Sequence, residues 1–116
     1  ALRARSAACV AEVSALPTAA ARKSEMVPPT GGEEFAWVLR RTGTASATQA
    51  AERARRAVAE HDFAGVGRIT LSLGVCSTDS LADPANLTTA ADEALYDAKL
   101  RGRNCVAVYR QRLRPR

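Results

Sequence analysis

The sequence predicts an α/β fold in which helices pack on a mostly antiparallel sheet. Three observations carry that expectation. Phe35-Ala36-Trp37-Val38-Leu39 is a run of β-formers, Arg68 to Cys76 alternates apolar and small or polar residues with period two, and a helical pattern follows each of these strands.

The elements follow in order. Residues 1–25 are dominated by Ala, Arg and Ser. The spacing predicts a short helix over Ala7 to Leu16, stopped by Pro17, and an alanine-rich turn over Thr18 to Lys23. Few side chains here look able to anchor these pieces. After Met26-Val27, Pro28-Pro29-Thr30-Gly31-Gly32 removes ladder donors and permits positive φ, so it reads as a turn between extended segments. The strand Phe35 to Leu39 is apolar on both faces, which suits a buried position, and Gly43 closes it. Thr48 to Glu60 reads as a helix, with Ala47, Ala50, Ala51, Ala54, Ala57 and Val58 at helical spacing. Ile69, Leu71, Leu73 and Val75 alternate against Thr70, Ser72, Gly74 and Cys76, the pattern of a half-buried strand. Asp83-Pro84 supplies a capping acid and a first-turn proline to a last helix, which Gly102 ends. Cys105 to Tyr109 is a final short strand. The order from Val27 places the helices on one face of the sheet, with a boundary near residue 26 and a basic tail over 110–116.

Composition adds limits. The chain has 116 residues, enough for one small domain. Its hydrophobic fraction is 47%, but 25 of these residues are alanine and only five are aromatic, so a thin core is expected. No apolar run approaches the roughly 20 residues of a membrane span, and the first residues lack the apolar centre of a secretory signal. The charge is uneven: residues 1–98 hold 10 Lys/Arg against 12 Asp/Glu, while residues 99–116 hold seven basic residues and no acid. Such a tail can bind polyanions, although most are merely solvated, and no nucleic-acid partner is expected. Three cysteines without C-x-x-C spacing suggest neither a disulfide framework nor a zinc site, and a reducing cytoplasm fits best.

Two constellations could carry chemistry. In Gly31-Gly32-Glu33-Glu34-Phe35, paired glycines let the backbone approach a ligand, and two carboxylates stand at a strand entrance. Adjacent residues on extended backbone point in opposite directions, so one Glu can meet a hard cation such as Mg²⁺ while the other has a separate task. A solvated β-turn is the plainer reading of the same residues. In Lys99-x-x-x-Arg103, two cations a helical turn apart could hold a polyphosphate, or could simply offset the helix dipole. Together, an acidic turn and a cationic helix end suit a metal–nucleotide triphosphate.

With these residues, Ile69-Thr70-Leu71-Ser72-Leu73-Gly74-Val75, Ala91-Asp92-Glu93-Ala94-Leu95-Tyr96-Asp97-Ala98-Lys99 and Gly102-Arg103-Asn104, the chain resembles the GGDEF domains of diguanylate cyclases over residues 31–109. The resemblance implies a nucleotidyl-cyclase or ferredoxin-like palm. It implies condensation of two GTP into cyclic di-GMP with release of pyrophosphate, on a homodimer that presents one GTP per subunit, with Mg²⁺ or Mn²⁺ as cofactor. It gives Glu33 as the metal ligand and Glu34 as the residue at the reacting 3′-hydroxyl, with either Glu as the base. Gly31 and Gly32 would pass close to the nucleotide, Lys99 and Arg103 would bind the triphosphate, and Asp92 and Tyr96 would be structural.

Departures from the family set further expectations. The family's first strand, with its metal-ligating Asp, the Phe-Lys pair and the guanine-recognising Asn and Asp are not found. The sequence therefore predicts a truncated or rearranged domain that lacks its central strand and half its metal site, with weak or absent turnover. Arg22-Lys23-Ser24-Glu25 stands at the offset of the family's product-inhibition motif Arg-x-x-Asp, with Glu in place of Asp, as a degenerate inhibitory site at Arg22 and Glu25. A non-catalytic module for nucleotide or protein binding is the alternative function. A sensory or receiver domain could belong to a longer parent.

Overall fold

Strand β1, Ser6–Ala15, lies at the centre of the sheet. The computed structural model describes residues 5–15, 33–65 and 67–110. After β1 come β2 (Glu34–Arg40), helix α1 (Thr44–Glu60), β3 (Ile69–Ser77), two single 3₁₀ turns (Thr78–Ser80 and Pro84–Asn86), helix α2 (Leu87–Leu100) and β4 (Val106–Val108). The described strands run in the order β2-β1-β3-β4; β1 is antiparallel to both neighbours, and β4 is parallel to β3. Among the described residues, no helix is long and apolar enough to cross a membrane.

The helix expected over Ala7 to Leu16 is instead a strand as far as Ala15, where the described residues stop, and the central strand expected to be missing is present. Alanine favours helices in isolation, but tertiary packing decided this segment. Ala7, Ala8, Cys9, Val10 and Ala11 are all buried, against the expectation that residues 1–25 offered little to bury. One face of β1 (Ala7, Cys9, Ala11) packs with Leu71, Leu73 and Val75 of β3 and with Ala47 and Ala51 of α1. The other face (Ala8, Val10) packs with Cys76 and with Leu87, Ala90, Ala91 and Leu95 of α2. The helices thus cover both faces of the sheet, not one, and β3 is buried along both sides.

Small residues on the α2 side bring that helix close. A Cβ on Gly74 would stand 2.1 Å from the Ala91 carbonyl oxygen and 2.2 Å from the Leu95 nitrogen, so only glycine fits there. Strand β2 lies at the end of the described order and is more exposed than its composition predicts: Phe35 is 45% and Val38 57% exposed, while Trp37 and Leu39 lean on the α1 cluster.

Other boundaries hold. Asp83 accepts a hydrogen bond from the Ala85 amide at 3.0 Å and precedes Pro84, although a 3₁₀ turn intervenes before α2 begins. Gly102, at φ 110°, follows α2 as a C-terminal glycine. The strand expected near Met26-Val27, the turn over Thr18 to Lys23 and the tail beyond Arg110 lie outside the described residues.

Candidate functional site

Antiparallel register brings two acids together from distant parts of the sequence. Glu12 of β1 is the cross-strand partner of Glu34 of β2 and of Ser72 of β3. Directly opposed residues share a face, and here that face is the one α2 covers. Lys99, in the last turn of α2, places its Nζ 2.7 Å from Glu12 Oε2 and 3.1 Å from Glu34 Oε2. Arg103, just past the helix, donates from Nε to Glu12 Oε1 at 3.1 Å. Ser14 Oγ donates to that same oxygen at 3.2 Å. Two carboxylates and two cations thus converge where the ends of β1 and β2 meet the end of α2.

Glu12 is 4% exposed, which is rare for a carboxylate and requires such pairing. Burial pushes its carboxyl up, but hydrogen bonds from Lys99 and Arg103, the Lys99 charge and the Ser14 hydroxyl outweigh it and hold the group below the ordinary carboxylate range. The hydrogen bond to Glu12 raises the Lys99 ammonium above its usual value; burial opposes this, and Glu34 adds to it. Both groups are held charged.

Glu12 is the residue that sequence reasoning missed. One signal was available: a lone acid inside the apolar run Val10-Ala11-Glu12-Val13. Of the residues singled out beforehand, Lys99, Arg103 and Glu34 meet in one cluster. Glu33 precedes β2 with an exposed side chain, and its carbonyl accepts the Val13 amide at 3.2 Å. It therefore stands beside the cluster, one ladder step from Glu12. Asp92 and Tyr96 lie on the solvent side of α2, Tyr96 being 62% exposed, so neither packs in the core. Gly31, Gly32, Arg22 and Glu25 lie outside the described residues.

Among the described residues no three His, Cys, Asp or Glu side chains gather at one point, so Glu12 and Glu34 are the two carboxylates that the site offers a hard cation. Glu12 and Glu34 converge on one positive charge, at Lys99 Nζ, and carboxylate oxygens are the preferred ligands of Mg²⁺. The two cations offer a forked guanidinium and a mobile ammonium for phosphate oxygens.

Comparison with known proteins identifies the family and the fold. A family model described as diguanylate cyclase, GGDEF domain, matches residues 7–105. The chain is 41% identical over 86 residues to diguanylate cyclase DgcM of Escherichia coli, covering 74% of this chain and 21% of that protein. It is 33% identical over 106 residues to diguanylate cyclase A of Treponema denticola, covering 88% of this chain and 29% of that one. The chain thus spans less than a third of either relative. In three dimensions it is similar to the active GGEEF domain of a diguanylate cyclase from Vibrio cholerae, with a TM-score of 0.68, 27% identity, and coverage of 92% of this chain and 85% of that one.

Proposed function

The chain belongs to the GGDEF domain family of diguanylate cyclases, and from that premise we propose that it binds GTP with Mg²⁺ or Mn²⁺ and condenses two GTP into cyclic di-GMP, releasing pyrophosphate. The observation that carries this reading is the four-residue cluster of Glu12, Glu34, Lys99 and Arg103. Glu12, with a carboxylate of the Glu33–Glu34 pair, would hold the metal, which when bound supplies charge neutralisation at the phosphates. Lys99 and Arg103 would take the phosphate oxygens. A Glu of the pair would accept the proton of the attacking 3′-hydroxyl. Gly31 and Gly32 would let the backbone pass close to the nucleotide. Because each active site holds one GTP, condensation requires a second copy of the domain, so a homodimer is part of the proposal. GTP supply places this chemistry in the cytoplasm.

Glu12 alters the expected defect. An acid does stand on the central strand, and in this reading it would supply the carboxylate of the metal half of the site. The Phe-Lys pair and the guanine-recognising Asn and Asp are still not found in the sequence, which leaves the triphosphate as the main handle. The expected outcome is metal-dependent binding of GTP with weak preference over ATP, and slow turnover. Purified chain incubated with labelled GTP and Mg²⁺ tests this, with the product resolved by chromatography. Cyclic di-GMP that disappears in Glu34→Gln or Glu33→Gln supports the proposal; product formation that survives the loss of both carboxylates overturns it. Metal-dependent GTP binding without product, unchanged by these substitutions, favours the alternative of a non-catalytic module. The degenerate inhibitory site at Arg22 and Glu25 is carried as part of the same reading, and product binding lost in Arg22→Ala tests it.

A further inference from the structure

We propose that Asn104 is a positioning residue: clamped between Arg55 of α1 and Ser72 of β3, it fixes the turn that aims the Arg103 guanidinium into the acidic cluster. The inference rests on the reading of Arg103 as a phosphate-binding cation, but its structural half can be tested without nucleotide.

The turn after α2 has an uncommon backbone. Gly102 stands at φ 110°, and Arg103 and Asn104 follow at φ 63° and 51°. Consecutive non-glycine residues in the left-handed region persist only when their surroundings hold them. The Arg103 amide donates to the Ala98 carbonyl at 3.0 Å, which ties the turn back to α2. The Asn104 amide donates to Ser72 Oγ at 3.0 Å, and Ser72 is fully buried on the central part of the sheet. Arg55 Nη1 donates to Asn104 Oδ1 at 3.0 Å. Arg55 is itself held, since its Nε and Nη2 both donate to Glu52 Oε1. Leu73 then donates its amide to the Cys105 carbonyl at 3.0 Å as the chain enters β4.

Asn104 therefore links the turn to a helix on one side of the sheet and to a strand within it, and its neighbour Arg103 reaches Glu12 Oε1 on the other side. A long side chain such as Arg holds a working geometry only when its base is fixed. Backbone tolerance alone would also explain Asn here, because Asn enters the left-handed region more readily than most residues. The side-chain contact with Arg55 separates the two explanations.

Three variants of the full chain test the clamp. Asn104→Gly keeps the backbone freedom and removes the amide, Asn104→Asp keeps an acceptor for Arg55, and Arg55→Ala removes the donor. The direct readout is the Arg103 side-chain Nε–H signal in ¹⁵N NMR without nucleotide, assigned by its loss in Arg103→Lys. That signal should be protected from solvent exchange in the parent and in Asn104→Asp, and should lose at least severalfold protection in Asn104→Gly and Arg55→Ala. Mg²⁺–GTP affinity measured by calorimetry should fall about three- to tenfold in those same two variants and stay within about twofold in Asn104→Asp. An unchanged Arg103 signal in Asn104→Gly overturns the proposal whatever happens to affinity. So does a changed signal with full GTP affinity. If the signal responds as expected but neither parent nor variants bind GTP, the clamp stands and the nucleotide reading fails.

Discussion

Lys99 holds two allegiances that a single substitution can separate. Its ammonium lies between Glu12 and Glu34, at 2.7 and 3.1 Å, where a divalent cation would compete with it. The same group is the proposed phosphate ligand. Lys99→Met keeps an apolar stem against the sheet and removes the charge. Affinity for Mn²⁺ alone, followed by calorimetry, should rise severalfold, because two carboxylates are left facing each other. Affinity for the metal–GTP complex should fall about tenfold, since a hydrogen bond to a charged group is worth about 1.5–3 kcal/mol. Both affinities falling together would sink this account of the cluster. Glu12→Gln should act in the opposite sense on the metal, weakening Mn²⁺ binding about tenfold or more. It should also destabilise the fold by about 1–3 kcal/mol, because Lys99 and Arg103 lose the buried acid that pairs them. Chemical denaturation and calorimetry on that variant read the two effects separately.

The spacing between α2 and the sheet is set by one glycine. A Cβ at position 74 would overlap the α2 backbone at Ala91 and Leu95, and backbone cannot swing aside as a side chain can. Gly74→Ala should therefore cost about 3 kcal/mol or more and shift the end of α2, which carries Lys99. Urea denaturation checks the stability, and an unchanged midpoint would mean that α2 does not pack as described. This close packing also explains what the sequence made legible and what it did not. Helix α1, strand β3, helix α2 and the Gly102 stop were readable because their periodicity or punctuation is local. Strand β1 was not. In β1 both buried faces are filled mainly by alanine and other small or apolar residues, so no polar alternation marks it as a strand, and alanine's intrinsic preference is helical. Of the candidate site, Glu34, Lys99 and Arg103 were legible from their motifs. Glu12 depends on the register Glu12↔Glu34, a long-range pairing that local pattern does not carry. The alanine content that predicts a thin core has a structural use as well: ten of the eighteen buried hydrophobic residues among those described are alanines, which serve as close spacers between the layers.

For the molecule as a whole, ionisation should bound stability from both sides. On the acid side, Glu12 has a carboxyl held below its ordinary range. Its contribution is complete above the unfolded value of about 4.3 and is lost as pH falls through the lower folded one. On the alkaline side, Lys99 is raised, so its contribution is complete below about 10.4 and lost only as pH rises through its higher folded value. The buried thiols act earlier. Burial pushes Cys9 and Cys76 up from 9.0 to about 11. Each must stay neutral in the folded state while the unfolded chain ionises it, so stability is intact below pH 9 and declines from there towards pH 11. Two pH units correspond to at most about 2–3 kcal/mol per thiol, a large share of the stability of a domain this small. Cys9 belongs to the cluster under α1 and Cys76 to the cluster under α2, so their ionisation opposes both helix–sheet layers at once. The double variant Cys9→Ala/Cys76→Ala should be somewhat less stable than the parent at pH 8, because two sulfurs leave small voids. It should nevertheless lose much less between pH 9 and pH 11, and the difference in slope is the quantity to measure, by urea denaturation across that range. An equally steep decline in the double variant would show that the thiols do not set the alkaline limit, and would move it to the Lys99 pairing, whose loss should begin only above about pH 10.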